Sequence, residues 1–114
     1  MRIDAYSFGH ICIDGVDYSK DVIVFGEAVL TPWWRESGHV FDIDDLKDVM
    51  SINPATVVLG TGFFGRVRVP RTTISALEEA GWEVLALRTG QAVVEFNRHV
   101  DAGRDVVAAL HLTC

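Results

Sequence analysis

A chain of 114 residues, 49% of them hydrophobic, has the size and apolar content of one domain, residues 1–114, with its own core. Its net charge of −6, from 16 acidic and 10 basic residues, argues against general nucleic-acid binding, which rests on neutralising phosphates. No run approaches the roughly 18 apolar residues of a membrane-spanning helix, Met1-Arg2-Ile3-Asp4 lacks a signal-peptide pattern, and Cys12 and Cys114 are too few for a disulfide framework, so the expectation is a reduced, cytoplasmic chain with no membrane insertion.

Residues 2–8 alternate loosely and predict an edge strand. His10-Ile11-Cys12-Ile13, Asp14-Gly15 and Val16-Asp17-Tyr18 predict a hairpin, because Asp-Gly is a preferred type I′ pair. A two-residue loop pairs Ile13 with Val16, Cys12 with Asp17 and Ile11 with Tyr18. That register puts Ile11, Ile13, Val16 and Tyr18 on one apolar face, and Cys12, sitting mid-strand, is expected to be a buried thiol.

A strand at 22–25 follows the polar break Ser19-Lys20-Asp21. Residues 26–41 read as irregular. A short helix then begins with Asp42 as N-cap and Asp44 and Asp45 in its first turn, where acids favour the helix dipole. Ile43, Leu46, Val49 and Met50 form its inward stripe, and Asn53-Pro54 ends it.

Val57-Val58-Leu59 is β-branched, unalternated and stopped by glycine, which suits a central strand covered on both faces. A glycine-rich loop with Gly60, Gly62 and Gly65 follows. Pro70 opens a helix with Ile74 and Leu77 inward and Gly81 as its C-terminal cap. Residues 82–87 form the next strand. Thr89 caps a third helix with Ala92, Val93, Phe96 and Val100 inward and Gly103 closing it, and 106–112 is a last apolar strand. The succession of strands and helices predicts an α/β fold, a mixed sheet flanked by helices, with a small N-terminal β-hairpin layer.

The spacing Gly60-x-Gly62-x-x-Gly65 matches the dinucleotide fingerprint in letters only. Arg66-Val67-Arg68-Val69 separates it from the helix, and Arg88-Thr89, without an acid, follows the next strand. Two other readings remain. The loop amides and Thr61 bind an anion, with Arg66 and Arg68 adding charge, or the glycines turn the chain and let Phe63 or Phe64 tuck underneath.

Trp33-Trp34-Arg35 has a similar pair of readings. In one, an indole walls a pocket and Arg35 binds a carboxylate or phosphate. In the other, Arg35 pairs with an acid such as Glu36. Two adjacent tryptophans point the same way with difficulty, so one is expected to be structural. His39 is the histidine best placed by sequence for acid–base work. His111 reads as a hydrogen-bonded structural histidine, and the four histidines have no metal-ligand spacing.

Several stretches together carry a resemblance. They are Ser7-Phe8-Gly9, Trp34-Arg35 with Gly38-His39, Leu59-Gly60-Thr61-Gly62 with Val69-Pro70, residues 89–97, and Ala108-Ala109-Leu110-His111-Leu112-Thr113-Cys114. Over essentially its whole length the chain resembles the Mth938-like domain family, formerly a domain of unknown function. The resemblance implies a three-layer fold around a mixed sheet in which one strand runs against the others. It brings no established biochemical activity. Eukaryotic relatives are linked to assembly of mitochondrial respiratory complex I and to adipocyte differentiation. The positions fitting the family's pocket are Trp34, Arg35, Gly60, Thr61, Gly62 and Arg68.

The combined expectation is a small binding or assembly-accessory protein, monomer or homodimer, that takes a small anionic ligand or a protein partner and needs no cofactor. The alternative is a small enzyme acting on an anionic metabolite in the same cleft, with His39 transferring a proton and Arg35 and Arg68 holding substrate. A third reading, a structural homo-oligomer, requires Trp33 or the first strand to be buried only between subunits.

Overall fold

The computed structural model describes residues 1–35, 38–53 and 55–114. The Glu36 partner expected for Arg35, and the helix stop at Asn53-Pro54 through its proline, lie outside the described residues.

Strands β1 (Ile3–Ser7), β2 (His10–Ile13) and β3 (Val16–Tyr18) form a three-stranded antiparallel sheet with β1 at its edge. Asp14 and Gly15 take positive φ values of 48° and 79°, as a type I′ turn requires. The hairpin register pairs Ile11 with Tyr18, Cys12 with Asp17 and Ile13 with Val16, as predicted. Burial follows only part of the predicted face. Ile11 and Ile13 of the middle strand are fully enclosed, whereas Val16, on the edge strand β3, is 52% exposed. Cys12 is half-buried rather than enclosed, with its thiol 3.7 Å from Asp4 Oδ2.

The main sheet contains β4 (Val22–Phe25), β5 (Ala28–Leu30), β6 (Thr56–Thr61), β7 (Glu83–Leu87) and β8 (Val106–His111), in the order β5-β4-β8-β6-β7. β6 runs parallel to β7 and β8, β4 is antiparallel to β8, and β5 is antiparallel to β4. Only β4 therefore opposes the rest. Two expectations change here. Residues 28–30 form a strand, since Gly26 at φ 56° turns the chain back so that Phe25 pairs with Ala28. The central position belongs to β8, and β6 is its neighbour.

A fully covered strand sends alternate side chains to opposite faces. Val106, Ala108 and Leu110 of β8, Val58 of β6, and Val22 and Val24 of β4 join Ile3, Ile11, Ile13, Ala92 and Phe96 on one side. Val107 and Ala109, Val57 and Leu59, and Ile23 join Trp33, Phe41, Leu46, Leu77 and Trp82 on the other. The first cluster lies under the three-stranded sheet and helix α3 (Thr89–Asp101), and the second under α1 (Lys47–Met50), α2 (Arg71–Glu79) and the segment carrying Trp33. These are the three expected layers.

The helix ends follow from their residues. Asp42 caps a 3-10 turn, Ile43–Leu46, that leads into α1, and Asp45 returns a bond to the Asp42 amide, completing a capping box. Pro70 caps α2. The buried residues of α2 are Thr73 and Leu77, and Ile74 is only half-buried. Thr73 goes inward because its hydroxyl donates to the Phe41 carbonyl at 2.8 Å. In α3 the N-cap is Arg88, and Thr89 is the first helical residue with its hydroxyl engaged elsewhere. Trp33 and Ile3 are buried within the single chain, whereas Asp4, Ala5 and Ser7 of β1 are exposed.

Leu59 and Val16 give a direct contrast. Leu59→Ala should lower the unfolding free energy by about 2–5 kcal/mol, and Val16→Ala should change it by less than about 0.5 kcal/mol. Urea midpoints of the two variants against the parent chain check this.

Candidate functional site

The register of β4 against β8 places Val22 opposite Leu110, so the residues just beyond, Asp21 and His111, face each other at the same sheet end. Asp21 Oδ2 lies 2.7 Å from His111 Nδ1 and 2.8 Å from Arg35 Nη1, while Oδ1 accepts from the Leu112 amide at 2.8 Å. The Asp21 carbonyl accepts from the Trp33 amide at 2.9 Å and the Thr31 hydroxyl at 3.2 Å. One aspartate thus ties three segments together.

The adjacent indoles divide their roles. Trp33 is 5% exposed and donates from Nε1 to the Asp45 carbonyl at 2.9 Å, whereas Trp34 is 72% exposed. The Arg35 guanidinium lies 5.1 Å from the Trp33 ring and 5.5 Å from Phe41, over rings that stack on each other. Its side chain is 4% exposed and also donates to the Gly38 carbonyl at 3.0 Å. Its charge is therefore compensated by Asp21 inside the protein. Among the described residues Arg35 Nε has no hydrogen-bond partner.

Burial alone would push the Asp21 carboxyl up. Hydrogen bonds from His111, the Leu112 amide and Arg35 outweigh it and hold the group below its ordinary value of 3.8. Donation to the ionised Asp21 uses the tautomer with the proton on His111 Nδ1, while Arg35 Nη2, which can only donate, lies 2.8 Å from the same nitrogen. Nε2 lies 3.3 Å from the Thr113 hydroxyl.

Around these groups is a cavity of about 420 Å³, whose walls include Lys20, Asp21, Trp34, Arg35, His39, His111, Thr113 and Cys114. Trp34, Arg35 and His39 are thus brought together. Gly60, Thr61, Gly62 and Arg68 are not among the lining residues. A Cβ at Gly60 would sit 2.7 Å from Leu110 Cδ2 and 2.9 Å from Thr89 Oγ1, and one at Gly62 would sit 2.7 Å from the Thr113 carbonyl. The glycines therefore admit the protein's own β8 end. The Thr89 hydroxyl accepts from the Gly62 amide at 2.9 Å and donates to the His111 carbonyl at 2.6 Å, and Thr61 donates to the Leu87 carbonyl at 3.0 Å.

Arg68 is exposed, and its backbone reaches the site. Its amide donates to the His39 carbonyl at 2.8 Å, and its carbonyl accepts from Phe41 at 2.9 Å. Phe63 and Phe64 do not tuck under the loop. They are exposed beside Phe8, and Arg66 lies 5.3 Å from the Phe64 ring.

A family model described as a protein of unknown function, DUF498/DUF598, matches residues 3–111. Among solved structures, that of MT938 is 24% identical with a TM-score of 0.84, covering 99% of this chain and 98% of its own. A Mth938-like domain protein from Bordetella pertussis is 20% identical with a TM-score of 0.78, covering 97% and 85%. The chain belongs to the Mth938-like family. A conserved hypothetical protein from Pyrococcus horikoshii OT3 shares the fold end to end, at 20% identity, 100% coverage of both chains and a TM-score of 0.80. Among the described residues of this Mth938-like chain, no helix is long and apolar enough to cross a membrane.

Sequence reasoning missed Asp21 and Thr89 and gave His111 a structural part only. Local pattern carries no sign of Asp21, because the pairing that sets it against His111 spans most of the chain. Thr89 was legible as a helix-start residue, yet its hydroxyl serves Gly62 and His111.

Two outcomes follow. A carboxyl held low in the folded state binds fewer protons than the unfolded chain does, so its stabilisation is present above about pH 4 and is lost as pH falls through the lowered value. Asp21→Asn should therefore flatten the acid limb of the stability–pH curve and cost on the order of 3 kcal/mol at neutral pH by stranding Arg35, read by urea unfolding from pH 2 to 7. Thr89→Val should cost about 1–3 kcal/mol by orphaning two buried backbone groups, with Thr89→Ser losing less, read by thermal unfolding.

Proposed function

We propose that this protein is a small cytoplasmic binding or assembly-accessory protein whose cavity at the carboxyl end of β8 takes a small anionic ligand. The observation that carries the reading is local charge. Among the described lining residues the side-chain carboxylate of Asp21 is matched by Arg35, which leaves Lys20 as positive charge facing the cavity in a chain whose net charge is −6. Lys20 is exposed and has no ion-pair partner among the described residues, so it is the free cation available to an incoming anion.

Trp34 supplies an aromatic rim, and His39 a second donor. Arg35 shapes the floor through its bond to Asp21. Gly60, Thr61 and Gly62 support the wall from behind, and Arg68 contributes through the backbone that holds His39. The position also suits a ligand site on general grounds, since open α/β sheets bind ligands beyond the carboxyl ends of their parallel strands.

A thermal-shift series with inorganic phosphate, sulfate, acetate and citrate tests the proposal. An anion at 100 times its dissociation constant adds about 2.7 kcal/mol, which for a domain of this size raises Tm by roughly 10 °C. The shift should shrink in Lys20→Ala and in His39→Ala and persist in Arg68→Ala. No shift with any of the four anions would defeat the reading.

A further inference from the structure

We propose that Asp21, His111 and Thr113 form a hydrogen-bonded relay that makes the Thr113 hydroxyl a nucleophile toward carboxylic esters entering the cavity. This rests on the reading that the cavity admits a small ligand. Lys20 on its wall favours esters that carry a negative charge elsewhere in the molecule.

The geometry has the parts that such chemistry needs. A nucleophile is activated by a base within hydrogen-bond reach, and the base is oriented by a third group. Asp21 Oδ2 lies 2.7 Å from His111 Nδ1, and His111 Nε2 lies 3.3 Å from Thr113 Oγ1. All three residues line the same cavity. A resting contact of this length tightens when substrate is bound.

The segment carrying the hydroxyl is held at several points. The Leu112 amide donates to Asp21, the Leu112 carbonyl accepts from Tyr6 Oη at 2.9 Å and the Gly9 amide at 2.8 Å, and the Thr113 carbonyl accepts from the Phe63 amide at 2.8 Å. Thr89 fixes the His111 carbonyl. Among the described residues, Arg35 Nη2, 2.8 Å from Nδ1, and Asp21 are the charged groups in contact with the imidazole, and the relay uses the tautomer in which Nδ1 donates to Asp21.

In the first half-reaction Thr113 Oγ1 attacks the ester carbonyl carbon, forming an O–C bond, and its proton passes to His111 Nε2. The bond from that carbon to the alcohol oxygen breaks, and the leaving alcohol takes the proton from Nε2. In the second, water attacks the acyl-threonine carbon and gives a proton to Nε2. Thr113 leaves, regains that proton, and the carboxylic acid departs. The sum is ester plus water giving acid plus alcohol.

The test uses p-nitrophenyl acetate, an uncharged ester, with nitrophenolate release followed by absorbance and the acetylated residue located by peptide mass. Acetyl on Thr113, with release slowed about 100-fold in both His111→Gln and the near-isosteric Thr113→Val, each shown folded by circular dichroism, is the expected result. Acetyl confined to Lys20 or Cys114, or an unchanged rate in Thr113→Val, would overturn the proposal. The probe carries no charge, so its failure leaves the anion series standing, and loss of the anion shift leaves this result standing.

Discussion

The Asp21 carboxylate is the constraint around which the sheet end is built. It accepts from His111, the Leu112 amide and Arg35, and its carbonyl holds Trp33 and Thr31. A buried guanidinium over two aromatic rings would be costly without a counter-ion, because the interior cannot replace its hydration. Asp21 supplies that counter-ion and is itself stabilised by the three donors facing it. The loop of Trp33 and Arg35 is thereby fixed against β8, and the cavity has a defined wall on each side.

The glycine loop after β6 serves the same end from the opposite flank. Its close approach to Leu110 and to the Thr113 carbonyl leaves no room for a side chain at 60 or 62. Thr89 joins that loop to His111 through one hydroxyl. Val67 returns the chain to Thr61, and Arg68 carries the backbone pairing on to His39 and Phe41. The residues with the strongest sequence signal thus hold the site in place, and residues with weaker signals form its surface.

Much of the fold was legible because its causes are local. Asp14-Gly15 determines the hairpin register, Asp42 and Pro70 start helical segments, and the unalternated Val57-Val58-Leu59 announces burial on both faces. The site was legible only in part. Trp34, Arg35 and His39 come together as neighbours in sequence, but Asp21 and His111 meet through a strand pairing that periodicity cannot choose among alternatives. Burial of Thr73 in place of Ile74 has the same origin, since its partner, the Phe41 carbonyl, belongs to a distant segment. The strand at 28–30 is short, and only the turn at Gly26 marks it.

The position of β8 has a consequence for how the molecule is made. It is the innermost strand of the sheet and the last of the five in sequence. During synthesis the β4–β5 pair and the β6–β7 pair emerge with nothing between them, each with an open edge that another chain could extend. The sheet closes only when 106–111 slides into the gap and pairs on both sides. Docking of that strand is non-local and therefore slow. The nascent chain must stay soluble through this interval with its middle missing, and crowding among unfinished chains is most hazardous just before the final strand arrives.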